Sequence, residues 1–273
     1  MAEAVATSSD RRAEQMPIWP SAARIIATFA IFTFHYLGLL GRYQYRLSVW
    51  ALLTFSFLSG YLAHARGTSR RSWAIKRYFS VMIPHWIVIT PVLVANWATH
   101  YKPVTAVEAL ITFLGGNLFL TNPLYVITWY VTFVLLLYGY LFVDSYFRGW
   151  LRLLVSAAGF AFFGWLGYNE YFFPFSIGLC VAAWFPPRAK VARSAIATSI
   201  GRVSFRLQEL CYPFFLAHGA VLLVMLRVTP FNPPVLFVAA FAVSVVAAFV
   251  IHIMSQPLLG LALATVGRNR PSA

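Results

Sequence analysis

Eight apolar stretches, beginning near residues 21, 46, 78, 124, 150, 171, 209 and 234, leave this chain of 273 residues little sequence from which to build anything else. Each approaches the ~20 residues that an α-helix needs to cross a bilayer. Composition agrees: 60% of the residues are hydrophobic and 10% charged, against roughly a quarter charged in a soluble domain. The prediction is an all-α polytopic membrane bundle of about eight spans, within a range of eight to ten. Residues 1–20 form a flexible cytoplasmic lead-in, 21–266 a single membrane domain and 267–273 a cytoplasmic tail.

A formal net charge of +14 would point to nucleic acid in a soluble chain. Here the placement of the charges explains their sum. With a cytoplasmic N-terminus and one crossing per stretch, Arg42, Arg46, Lys102 and Arg227 fall outside, and the other seventeen of the 21 Lys and Arg fall inside. That division follows the positive-inside rule and calls for no nucleic acid. The N-terminal twenty residues lack a basic region followed by an apolar one, so no cleavable signal peptide is expected. Cys180 and Cys211 sit in apolar segments without metal-ligand spacing, which predicts core residues and no metal.

One segment breaks the pattern. "TAVEALITFLGGNLFL", residues 105–120, is apolar but short and interrupted by Gly115 and Gly116. It predicts a re-entrant or interfacial half-helix rather than a further span.

Ionisable residues inside apolar segments are functional candidates by default. Arg24 and His35 are eleven residues apart, which is three helical turns plus about 20°. They therefore share one helix face, roughly 16 Å apart along the axis. Arg24 near a span end can also simply snorkel to headgroup phosphates. His35 lies well inside its span, where a neutral imidazole is available as a base or nucleophile. His218 ends "CYPFFLAH" and has a bland reading as a core histidine that donates to a nearby carbonyl. Ser59 and Gly60 in "FSFLSGYL" read equally as small residues permitting close helix contact. His85 follows Pro84 and either serves a pathway or pairs a carbonyl freed by the proline. His64 and His100 are at span ends.

In order along the chain these motifs resemble the acyltransferase 3 family of membrane O-acyltransferases. The arginine and histidine of the first span, with ten residues between them, the Phe-rich Ser-Gly segment of the second, and the basic loop and proline of "SRRSWAIKRYFSVMIPHW" all correspond. So do the Trp-led "ITWYVTFVLLLYGYLF" and the late "YPFFLAH", over residues 20 to 258. The departures are specific. Val81 and Tyr78 stand where the family usually has two arginines before the third-span proline, Leu53 stands near a missing acid, and Gln256 replaces the acid before the late proline.

The resemblance implies transfer of an acyl group, acetyl by default, from cytoplasmic acyl-CoA to a hydroxyl of a glycan, a lipid-linked sugar or a secreted metabolite. It implies a bacterial inner-membrane protein with both termini cytoplasmic. His35, Arg24 and His218 are the catalytic candidates, and Arg70, Arg71, Lys76 and Arg77 the candidates for holding CoA phosphates by charge-assisted hydrogen bonds. His35 and His218 are expected to face one tunnel bordered by the spans at 21–41, 46–65 and 209–227. The alternative is a transporter or flippase, in which buried Arg and His line a solute path.

Overall fold

The computed structural model describes residues 18–63, 70–185, 195–228 and 232–268. The expectations for His64, for most of the N-terminal lead-in, for the basic residues 66, 188, 190 and 193, and for the end of the C-terminal tail lie outside the described residues. Among those described, the secondary structure is helical and no strand occurs. In chain order the helices are α1 (Ile18–Leu39), α2 (Tyr45–Leu62), α3 (Arg70–Thr99), α4 (Ala106–Phe113), α5 (Trp129–Asp144), α6 (Trp150–Trp165), α7 (Asn169–Trp184), α8 (Ala195–Val228) and α9 (Pro233–Arg268). Single 3-10 turns at Asn117–Phe119 and Val126–Thr128 precede α5.

Five segments are long and apolar enough to cross a membrane: Ile18–Leu39, Arg70–Thr99, Val126–Asp144, Ser199–Arg227 and Pro233–Thr265. This is a helical membrane protein, with five such helices where the sequence suggested eight spans. The other three expected spans correspond to α2, of 18 residues, and to α6 and α7, of 16 each. At 1.5 Å per residue the last two reach about 24 Å, short of a hydrocarbon core of ~30 Å. α2 loses apolar character to Arg46 and to its serines and tyrosines. Large apolar side chains face outward along the helices, among them Leu153, Val238 and Val246, and Trp165 and Trp184 stand exposed at helix ends. Such a surface suits lipid tails along the helices and the aromatic-rich interface at their ends.

The chain divides into two compact units, Met1–His64 with Phe163–Tyr212, and Ala65–Phe162 with Pro213–Ala273. The boundary falls inside α6 and α8, so each of these helices contributes to both.

In the first unit α2 packs on α1 and α7. Trp19 of α1 lies on the Tyr61 ring, 5.0 Å between centroids, and the Ser21 hydroxyl donates to Gln208 Oε1 at 3.0 Å. The contact of α2 with α7 is made by backbone. A Cβ on Gly60 would collide with the Phe175 carbonyl oxygen and stand 3.1 Å from the Leu179 nitrogen. A Cβ on Gly178 would collide with the Phe57 carbonyl oxygen and stand 2.8 Å from the Tyr61 nitrogen. Each helix thus presents its glycine to the other's main chain, which is the small-residue packing on which membrane helices rely when lipid offers no hydrophobic drive. Gly60 of the Ser-Gly motif has this structural role.

In the second unit α3 packs against α4, α5 and α9. α4 begins with a reciprocal cap: the Thr105 hydroxyl accepts from the Glu108 N–H, and Glu108 accepts from the Thr105 N–H. That backbone N–H, with the Thr105 hydroxyl behind it, holds the Glu108 carboxyl below the usual carboxylate range. α4 stops after eight residues, about 12 Å, and the chain reverses at Gly115, whose φ of 77° is open to glycine. A helix this short does not cross, and the segment predicted as a half-helix is one.

Candidate functional site

α1 carries Arg24 and His35 on one uninterrupted helix, and both side chains are half-buried. In hydrocarbon the polar residues of such a helix bond locally. Thr28 donates to the Arg24 carbonyl at 2.8 Å, one turn back, and Thr33 to the Phe29 carbonyl at 2.9 Å. Cys211 is buried, as expected of a core residue, with its thiol beside the Thr28 hydroxyl and within reach of the Arg24 charge, whereas Cys180, also expected in the core, is exposed. Around His35 the surface is aromatic. Phe34 meets its ring edge-on at 5.0 Å, and Phe34 in turn contacts Tyr43 at 6.4 Å.

The basic residues predicted to hold phosphate begin α3, in the second unit. Arg70 lies over the Tyr146 ring at 5.0 Å. Arg77 lies 5.6 Å from the Tyr138 centroid and 5.9 Å from that of Trp73. Arg71 and Lys76 are exposed. A guanidinium stacked on a ring is held by its face and keeps the N–H groups of its edge directed outward. The stacking therefore orders Arg70 and Arg77 without using up the donors that an anion would need.

The interior of the second unit is more polar than the sequence suggested, and the reason is the half-helix. The last carbonyls of any helix lack partners, and inside a membrane no water supplies them. Adjacent residues of α3 add donors here: His85 Nε2–H donates at 3.0 Å to the Thr112 carbonyl, which also accepts from the Gly115 N–H at 3.1 Å, and Trp86 Nε1–H donates to the Phe113 carbonyl at 3.0 Å. Trp86 also stacks on Phe113 at 5.9 Å. His85 does pair a carbonyl, but one on α4, 27 residues away, rather than one freed by Pro84. Beyond α4, Thr132 donates to the Gly115 carbonyl and accepts from the Leu118 N–H, while Asn117 donates to the Thr128 hydroxyl and the Tyr125 carbonyl.

His218 is fully buried within the same unit. Its Nδ1–H donates to the Phe214 carbonyl at 3.2 Å, and its ring lies parallel to that of Phe214 at 5.9 Å. This is the contact of a core histidine, made within its own helix. Beside it, the Tyr125 hydroxyl donates to the Leu216 carbonyl at 2.6 Å and accepts from the Ala220 N–H at 2.9 Å. Those are the two ends of one step of the α8 hydrogen-bond ladder, so a side-chain hydroxyl serves both. Gly219 admits it: a Cβ there would meet Ile127 and stand 2.9 Å from the Tyr125 oxygen. Tyr125→Phe should therefore lower stability by about 1–2 kcal/mol, the worth of two buried hydrogen bonds partly recovered by ladder closure. Thermal unfolding in detergent checks this. An unchanged midpoint would mean that the ladder closes fully in its place.

The structure thus brings Arg24 and His35 together on α1 of the first unit, and gives Arg70, Arg71, Lys76, Arg77 and His218 to the second. Thr112, Asn117, Tyr125, Thr128 and Thr132 escaped the sequence reading. For Tyr125 and Thr128 the signal was "TNPLYVIT" after the double glycine, whose asparagine and proline are out of place among spans, whereas Thr112, Asn117 and Thr132 sit singly in apolar sequence. No family model, no curated protein and no solved structure matches the chain.

Proposed function

We propose that the chain is a membrane O-acyltransferase that moves an acyl group, acetyl as the simplest case, from cytoplasmic acyl-CoA to a hydroxyl of a glycan, a lipid-linked sugar or a secreted metabolite. The observation that carries this reading is the Arg24 and His35 pair on one unbroken helix, half-buried and roughly 16 Å apart. That separation suits a phosphate-bearing carrier with a long arm, bound at one end and reacting at the other. The ordered motif resemblance supports it along the rest of the chain.

In the proposed step His35 takes the proton of the acceptor hydroxyl. The oxygen attacks the thioester carbonyl, the C–S bond breaks, and the CoA sulfur leaves with the proton returned by the imidazolium. Arg24 binds phosphate through charge-assisted hydrogen bonds. The proposed topology keeps eight crossings, with α2, α6 and α7 as short ones, in a bacterial inner membrane with both termini cytoplasmic, because that arrangement would put seventeen of the 21 basic residues on one side.

Sealed vesicles of both orientations test donor, sidedness and anchor together. Labelled acetyl-CoA should be consumed when supplied to the basic face and not when supplied to the other. Arg24→Ala should raise the KM for the donor, and Arg24→Lys should restore it in part, since a lysine keeps charge but not the bidentate fork. Equal consumption from both faces, or none from either, would remove the reading.

A further inference from the structure

We infer that His85 and the turn after α4 form a binding site for hydroxyl groups inside the second unit. The inference is independent of the reading of Arg24 and His35. A carbonyl only accepts hydrogen bonds, so the contact between His85 Nε2 and the Thr112 carbonyl places the ring proton on Nε2. Nδ1 then presents a bare lone pair. His85 is 0% exposed, and Nδ1 has no hydrogen-bond partner among the described residues. The same holds for two further polar atoms on the segment that His85 caps: Thr112 Oγ1, on a residue 0% exposed, and Asn117 Oδ1, on a residue 1% exposed.

These three stand out because their neighbours are paired. Trp86, Thr128, Thr132 and the Asn117 amide nitrogen all have partners. Buried polar atoms are almost always satisfied, and a group of exceptions points to something bound. The chemistry of the three atoms narrows what it is. His85 Nδ1 and Asn117 Oδ1 accept only, so the ligand must donate. Thr112 Oγ1 both donates and accepts, which suits a ligand group that does the same. Glu108, the acid of α4, is turned to the Thr105 cap, so no carboxylate of that helix is offered to a cation. A neutral O–H group fits: water, or an alcohol of a larger ligand.

Solid-state NMR of protein carrying nitrogen-15 histidine, in nanodiscs, reads the lone pair directly. The His85 ring is assigned among the six histidines by its Nε2–H contact to a labelled Thr112 carbonyl. A proton contact at Nδ1 from water in plain buffer supports the site with water as its occupant. A contact that appears only when methyl glucoside is added supports it with a ligand alcohol. A bare Nδ1 under both conditions overturns the inference. Thr112→Val keeps the carbonyl that holds the ring and removes the hydroxyl, in nearly the same volume. It should weaken the contact at Nδ1, and an unchanged contact would overturn the site as composed here.

Discussion

Replacing His35 with alanine is expected to lower acyl transfer by roughly 10²- to 10⁴-fold, the usual loss when a positioned general base is removed. The protein should still insert and fold, because His35 is half-buried and the backbone contact of the first unit is made elsewhere, at Gly60 and Gly178. The comparison is single-turnover transfer from acetyl-CoA at saturating donor, wild type against His35→Ala, with unfolding midpoints measured on the same samples. Loss of rate at an unchanged midpoint identifies chemistry. A variant with wild-type transfer would make His35 structural and leave the Arg24 and His35 pair without a function.

The second large effect is on folding. Alanine usually stabilises a helix relative to glycine by about 1 kcal/mol, so Gly60→Ala and Gly178→Ala would look favourable on sequence grounds. At the α2 and α7 contact each added methyl meets a main-chain oxygen. Backbone cannot rotate aside as a side chain can, so the two helices must separate, and overpacking costs of about 1–3 kcal/mol or more follow. The double substitution should deplete folded protein, and Gly60→Leu alone should abolish its accumulation. Gly139 is the control: it also lies inside a helix, but no atom stands within 4 Å of its added Cβ. Gly139→Ala should leave the unfolding midpoint unchanged or raised. Equal behaviour at Gly60 and Gly139 would show that the helices of the first unit do not approach this closely.

What could be read without coordinates was local. The helices of the membrane domain follow from apolar runs, because in hydrocarbon a chain must pair its backbone within the segment itself. The half-helix near residue 110 was legible for the same reason: an apolar run too short to cross, ended by two glycines, has few other conformations open to it. The axial relation of Arg24 to His35 follows from helix pitch alone once α1 is known to be continuous. Span number was less secure. α6 and α7 are each 16 residues long, and their loops close earlier than the apolar pattern does.

Tertiary structure decided the partners. His85 was a candidate from the sequence, but its bond goes to Thr112, 27 residues along the chain, and Tyr125 reaches Leu216 across 91. Neither pairing has a local signal, since any nearby donor would satisfy a free carbonyl and only packing brings one donor to it. The arginines of α3 show the same limit: their charge was evident, whereas the rings of Tyr138 and Tyr146 that hold two of them come from another part of the chain. The sequence alone determined that this protein is a bundle of membrane helices with polar residues inside it, because hydrophobicity and backbone pairing act within each segment. Which glycines meet a neighbouring main chain, which carbonyls are capped and which polar atoms are left without a partner depended on contacts between segments, and those exist only once the helices have packed.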